Sequence, residues 1–542
     1  MHVCTIAASN YLSRIRVFAD SFREQHPDGT CTVLLVDAAA DPDRWSAERF
    51  EVLTLDDIDI DARAVAHMAA IYDVAELSTA VKPSLLRTLL HRGSGVITFL
   101  DPDIEFFAPI DEVEDLTKQH GIVLTPHNLE PIAQDDALPD EPTIMRAGIY
   151  NLGFISVSAD AMPFLDWWDD RLRWNCRFDQ DEGLHVDQRW VDLAPAYFGV
   201  YALRDPGYNV AYWNIDQRPI EWTGDEYEAD GAPLHFFHFS GFNPEEPYRL
   251  SKYQENRSRI DPDVDRGLAR LCMHYARRLA ECSYDEQPVP YGWAHTANRL
   301  RLDATMRRLH RERLVAAGPD EDGDIPDPFT AGGATIFLAW LNEPIPESAF
   351  PGLTRYLAAM HAERPDFQRV FPDLLGDDGA AYCRYVADAG LVDARLAAVV
   401  SDESSGPDPA PAPVQPPSAT QRALDAAARR PTIGTTGRPT SLQARRLVLR
   451  ALSHYETQQQ QRLQDVTQAL AESDDELRRT LAELSERVDA GLRELTARLD
   501  ALERAQLQAQ IDEVARAARL ALLVGQEALA AGEPATEPPD RD

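Results

Sequence analysis

The chain has 542 residues, with 53 basic and 90 acidic side chains and a formal net charge of −37. That length is too great for one hydrophobic core, so several domains are expected. That charge excludes a general nucleic-acid binder and a protein drawn to anionic membranes. Six cysteines are scattered without C-x-x-C spacing and read as reduced cytosolic thiols. The first residues, Met1-His2-Val3-Cys4-Thr5-Ile6-Ala7, enter a strand pattern at once, without the basic and apolar regions of a signal peptide. No apolar run reaches the length of a membrane span. The expectation is a cytoplasmic protein.

The first ~250 residues alternate strand and helix signals. Residues 3–8 and 31–36 read as buried strands, with a helical pattern between them that places Ile15, Phe18, Ala19 and Phe22 on one face. Residues 77–90 read as a second amphipathic helix, 95–100 as the next strand, and 122–125 and 153–157 as further short strands. Such alternation predicts an α/β fold, a Rossmann-like and mostly parallel sheet covered by helices. In such sheets ligands bind beyond the carboxyl ends of the strands.

From about residue 263 the pattern turns helical through Leu268, Leu271, Cys272, Tyr275 and Leu279, then Leu300, Leu302, Met306 and Leu309. A second helical block spans roughly 330–400. Residues 401–418 are rich in Pro, Ala and Ser without periodicity and read as an extended linker. Arg429-Arg430 to Arg445-Arg446 is basic, either more linker or a dock for an anionic partner. Beyond residue 451 one long helix is predicted. Leu477, Leu481, Leu484, Val488, Leu492, Leu495, Leu499 and Leu502 form a heptad seam with one stutter near Gly491. A lone helix would leave that stripe wet, so a homo-oligomer through a C-terminal coiled coil is expected; a seam folded back on the helical region is the alternative. The expected divisions are 1–258 the α/β domain, 259–318 a helical extension, 319–400 a helical accessory module, 401–450 linker, 451–530 coiled coil and 531–542 a disordered tail.

Asp-Pro-Asp occurs three times, at 41–43, 101–103 and 261–263. Only Asp101-Pro102-Asp103 follows an apolar, β-rich run, Val96-Ile97-Thr98-Phe99-Leu100. Two carboxylates one residue apart at a strand end can share a hard cation, which can hold a diphosphate; a plain turn is the other reading. Four more segments accompany it. Thr5 to Tyr11 is a strand running into a loop, where Tyr11 either stacks on a base or packs at a helix cap. Lys82 stands in an apolar helix pattern, as a diphosphate cation or a snorkelling lysine. Asn151-Leu152-Gly153 puts an amide and a glycine into strand sequence. His185-Val186-Asp187-Gln188 is nondescript alone. Finally, His235 and His238 lie in the aromatic run Leu234–Phe242, and a neutral imidazole there is either a metal ligand or a packed core residue.

Together these segments, over roughly residues 1–255, resemble the retaining nucleotide-sugar glycosyltransferases of family 8, the group containing glycogenin and bacterial lipopolysaccharide glucosyl- and galactosyltransferases. Asp101-Pro102-Asp103 matches the D-x-D metal motif and His238-Phe239-Ser240-Gly241 the H-x-x-G motif. Asn151-Leu152-Gly153 resembles N-S-G, and Asp187-Gln188 the D-Q pair. The resemblance implies a GT-A fold and Mn²⁺ or Mg²⁺ held by Asp101, Asp103 and His238. It implies nucleotide contacts from Thr5, Ala7, Asn10, Tyr11, Lys82, Asp101 and Gly241, with Asp187, Gln188 and Asn151 around the donor sugar. The partners implied are a nucleotide-sugar donor and a glycan or other hydroxyl acceptor. Two departures stand out: Pro102 replaces the usual Ala or Ser, and Phe242-Asn243-Pro244-Glu245 replaces a Lys-Pro-Trp whose Lys helps hold the diphosphate. Residues about 330–390 resemble a helical module attached to bacterial glycosyltransferases. The alternatives are a degenerate transferase domain carried as a coiled-coil scaffold, and a nucleotidyltransferase, whose glycine-rich loop is replaced here by Ala7-Ala8-Ser9-Asn10.

Overall fold

Alternating buried β-branched and aliphatic runs build β1 (His2–Ala7), β2 (Thr30–Leu35) and β3 (Glu51–Thr54), with α1 (Leu12–Gln25) crossing between the first two. The face of α1 read from the sequence is buried, and Val17, on the other side of the helix, is buried in a separate cluster. The computed structural model describes residues 1–397 except 38–44, 255–256, 261, 263–264, 283–290 and 319–324. The expected linker, coiled coil and tail, residues 401–542, lie outside the described residues, as do the aspartates of the other two Asp-Pro-Asp copies.

After β3 come α2 (Ala62–Ile71), α3 (Val74–Ala80) and α4 (Lys82–His91). The single helix expected over 77–90 is therefore two. Pro83 has no N–H to donate and its ring clashes with the carbonyl four residues back, so the chain turns at Val81 before helix resumes. This break puts Lys82 at the first position of α4. β4 (Val96–Leu100) and β5 (Ile104–Phe106) follow, then α5 (Asp111–His120), β6 (Ile122–Pro126), α6 (Glu141–Ala147), β7 (Tyr150–Ser158), α7 (Met162–Asn175) and the short α8 (Gln188–Val191).

With β8 (Tyr201–Ala202), the strands form a seven-stranded sheet in the order β8-β6-β7-β4-β1-β2-β3. It is parallel except at β7, which runs antiparallel to both β4 and β6. β9 (Phe236–His238) pairs with β5 in a separate ribbon. One hydrophobic cluster fills each face of the sheet's central strands, one including Leu34, Ile97, Ile155 and Trp168, the other Val3, Phe18, Leu100 and Phe154. All six cysteines are free thiols.

α9 (Arg266–Cys282) buries Leu268, Leu271, Cys272, Tyr275 and Leu279 in a cluster shared with Val17 of α1 and Phe239. α10 (Ala304–Ala317) and the helices at Ala331–Leu341, Arg355–Ala362, Pro365–Val370 and Gly379–Asp388 enclose their own cluster, which includes Met306, Phe337, Leu357 and Tyr382. Leu300 and Leu302 precede α10 and are buried from loop backbone.

His310 of α10 is fully buried, and neither ring nitrogen has a hydrogen-bond partner among the described residues. Burial, then His67 and Arg313, push its imidazole down to about 3. In the unfolded chain a histidine titrates near 6.5. Between those values the unfolded state takes up a proton that the folded state refuses, so stability is lost as pH falls through that window. Urea midpoints at about pH 7.5 and about pH 5 should therefore differ more for the wild type than for His310→Phe.

Candidate functional site

Asp101 follows β4 and Asp103 precedes β5. The Ile104 N–H donates to the Asp101 carbonyl at 3.2 Å, closing a β-turn with Pro102 at its second position. Proline pre-sets φ for that position. The turn reading of this tripeptide thus holds, the metal reading is compatible with it, and the residue that departs from the family pattern is one the turn favours. β9 runs antiparallel to β5 with His238 opposite Ile104, and the Phe239 N–H donates to the Asp103 carbonyl at 2.9 Å. This pairing carries His238 to the two aspartates.

Ligand atoms of Asp101, Asp103 and His238 all lie within 4.8 Å of one another. His238 Nε2 is 3.1 Å from Asp103 Oδ1 and 3.7 Å from Asp101 Oδ2. Burial drives the Asp101 carboxyl up to about 6, against the pull of Lys82 and His238. At Asp103 burial also acts upward, but His238 outweighs it and holds the carboxyl below its usual range. Burial works against the His238 imidazolium, yet Asp103 and Asp101 raise its pKa overall. The aspartate side chains remain 33% and 16% exposed while the imidazole is 4% exposed. Two hard oxygen donors and one nitrogen, open on the carboxylate side, fit a divalent cation that also takes phosphate oxygens.

Asp101 and Asp103 of this triad, but not His238, line a cleft of about 240 Å³. Ala7, Asn10 and Tyr11 line it from the end of β1, Lys82 from α4, and Asp101, Pro102 and Asp103 from the turn, with Ile6, Val74 and Phe99 as apolar wall. Thr5 is not among the lining residues: it is wholly buried in β1 and its Oγ1 has no hydrogen-bond partner among the described residues. Gly241 is absent from the lining too. It turns the chain after β9 with a φ of +72°, and a β-carbon there would meet Ser251 Oγ at 2.7 Å.

Lys82 does not snorkel. Its Nζ lies 2.5 Å from Asp187 Oδ2, both side chains being 2% exposed, donates to the Leu152 carbonyl at 3.0 Å and sits 4.2 Å from the Phe99 ring centroid. Lys82 and Asp187, separate in the sequence reading, thus form one buried ion pair. Asp187 is held from behind by Trp168, whose Nε1 donates to its carbonyl at 3.1 Å. It follows Val186, whose φ of +43° is costly for a β-branched residue. Gln188 and Asn151 are also turned inward. Gln188 Nε2 donates to the Ala147 carbonyl at 2.9 Å and its Oε1 accepts from the Leu152 N–H at 2.9 Å. Asn151 Oδ1 accepts from the Gly153 N–H at 3.0 Å. A β-carbon on Gly153 would lie 2.4 Å from His238 Cε1, so glycine is what lets the imidazole sit there.

Three residues near the triad were not singled out from the sequence. Asn209 contacts His238 from behind. Arg14 stands 5.0 Å over the Tyr11 ring and donates to the Phe242 carbonyl, and Lys252 donates its backbone N–H to the Gly241 carbonyl. The left-handed φ of Asn209, which asparagine tolerates, shows only in the structure; the two cations carried no sequence signal.

Fold and site together define an α/β protein with a carboxylate–imidazole triad beyond the strand ends of a mostly parallel sheet. No protein-family model matches the chain. It is similar to the uncharacterized proteins YfnF and YfnD of Bacillus subtilis (strain 168). YfnF is 31% identical over 183 residues, covering 31% of this chain and 58% of YfnF. YfnD is 26% identical over 180 residues, covering 31% and 54%. The chain thus spans about half the length of these curated relatives. Among solved structures, the galactosyltransferase LgtC in complex with donor and acceptor sugar analogs is 15% identical with a TM-score of 0.32, covering 54% of this chain and 99% of that one. Mouse xyloside xylosyltransferase 1 is 13% identical with a TM-score of 0.28, covering 44% and 96%. TM-scores this low do not establish a shared fold. Among the described residues no helix is long and apolar enough to cross a membrane.

Proposed function

We propose that the chain is a metal-dependent glycosyltransferase of the GT-A type, moving a sugar from a nucleoside-diphosphate sugar, a UDP-sugar by preference, to an acceptor hydroxyl. The observation that carries this reading is the convergence of Asp101, Asp103 and His238, with the two aspartates on one rim of a cleft whose other walls include Asn10-Tyr11 and Lys82. Asp101, Asp103 and His238 would hold Mn²⁺ or Mg²⁺. Such an ion supplies positive charge against the diphosphate leaving group.

The chain's own residues do the rest. Tyr11, 39% exposed, offers its ring to a nucleobase. Arg14 and Lys252, not a lysine in the segment after Gly241, are the cations near Tyr11 that favour the departing anion. Asp187, paired with Lys82, would orient the donor sugar together with Asn151 and Gln188, all three being buried residues outside the lining of the cleft itself. The acceptor hydroxyl attacks from the leaving-group face, retaining configuration, in bacterial glycan or cell-surface polysaccharide synthesis. Cytoplasmic placement and self-association through residues 451–530 complete the reading.

The test is calorimetric titration of UDP into the full chain with and without Mn²⁺, followed by a panel of nucleotide sugars with hydrolysis as readout. Metal-linked affinity and turnover of at least one donor are expected. Neither appearing would leave the scaffold reading in place.

A further inference from the structure

A chain of three amides runs from the backbone of α6 to the imidazole of His238, and its direction follows from the backbone groups it touches. The Gly153 N–H donates to Asn151 Oδ1 at 3.0 Å, so that atom is the carbonyl oxygen. The Asn209 atom 3.0 Å away from it must then be Nδ2. The same nitrogen lies 2.8 Å from Thr125 Oγ1. The other end of the Asn209 amide, Oδ1, faces His238 Nδ1 at 3.3 Å and can only accept. Gln188 locks the far end: its Oε1 takes the Leu152 N–H, receives Asn151 Nδ2 at 3.4 Å, and its Nε2 is spent on the Ala147 carbonyl. Asn209 is 1% exposed and held at a φ of +53°, a conformation asparagine bears better than most residues.

We propose that Asn209, at the end of this amide chain, is a positioning residue that keeps the hydrogen of neutral His238 on Nδ1 and so leaves the Nε2 lone pair facing Asp101 and Asp103. The inference rests on the reading of those three residues as a cation site. A histidine that ligates a metal through one nitrogen commonly donates its other N–H to a fixed acceptor, which sets ring and tautomer. Here that acceptor is a side-chain amide whose own orientation cannot flip without breaking bonds back to Ala147. Asn151 and Gln188 thereby act through His238, alongside any contact with a sugar.

The test measures Mn²⁺ affinity of the full chain, metal alone, by electron paramagnetic resonance of the free ion, with circular dichroism reporting folding. Asn209→Gly removes the acceptor yet tolerates the left-handed backbone; an affinity loss of about 10- to 100-fold is expected. Asn209→Asp keeps an acceptor toward Nδ1 and loses both donors, so wild-type affinity or better is expected. A role resting on the Nδ2 donors alone would weaken both variants alike, since each loses the bonds to Thr125 and Asn151. Wild-type affinity in Asn209→Gly, or a tenfold loss in folded Asn209→Asp, overturns the inference while the cation site stands. A wild type that binds no Mn²⁺ overturns the site reading and this inference with it.

Discussion

Asp103→Ala is expected to abolish metal-linked nucleotide affinity and to lower donor hydrolysis by at least about a thousandfold. A bound divalent ion contributes several kcal/mol to stabilising a leaving diphosphate, and each ~1.4 kcal/mol is tenfold in rate. Asp103 is the closer carboxylate to His238, at 3.1 Å, and its backbone carbonyl takes the Phe239 N–H. Alanine keeps that backbone bond and the turn, so the loss falls on the ligand and not on the ribbon. Initial rates of nucleotide-sugar hydrolysis with excess Mn²⁺, and with chelator, read the result. A variant as active as the wild type and indifferent to chelator would remove Asp103 from the site.

The second large effect is on stability. Lys82→Met should destabilise the protein by about 3–5 kcal/mol, because it strands the Asp187 carboxylate in a buried position. Lys82 and Asp187 are each 2% exposed, and the Leu152 carbonyl loses its Lys82 donor as well. The double variant Lys82→Met/Asp187→Leu should recover most of that loss, since replacing both charges removes the unpaired one. Guanidinium unfolding followed by tryptophan emission suits the measurement, with Trp168 bonded to the Asp187 carbonyl. A double variant no more stable than the single one would mean that the pair's packing, and not its charge balance, holds α4 to the α8 start.

Much of this protein is local. Short apolar runs mark β1, β2, β4 and β7 to within a few residues, because a strand in a sheet of this kind is buried on both faces and shows it in composition. The stripe through Leu268, Leu271, Cys272, Tyr275 and Leu279 marks α9 for the same reason on a helical period. What composition missed is where a single residue overrules a pattern. Pro83 splits a helix whose apolar period continues across it. The strands of β5 and β9 are three residues each, too short to announce their pairing.

By itself, the sequence marked most residue types of the candidate site: Asp101, Asp103, His238, Lys82 and Asn151 stood out as polar residues beside or within apolar runs, whereas Asp187-Gln188, nondescript alone, entered only through the family resemblance. Only the tertiary structure decided who meets whom. β9 sets His238 against the turn at Pro102. The break at Val81 drops Lys82 onto Asp187, and a left-handed residue at 209 turns an amide toward an imidazole. The physical reason is that a buried polar group must find its partner wherever the chain's packing brings one, and those partners here lie tens of residues away, in segments whose own composition says nothing of the meeting.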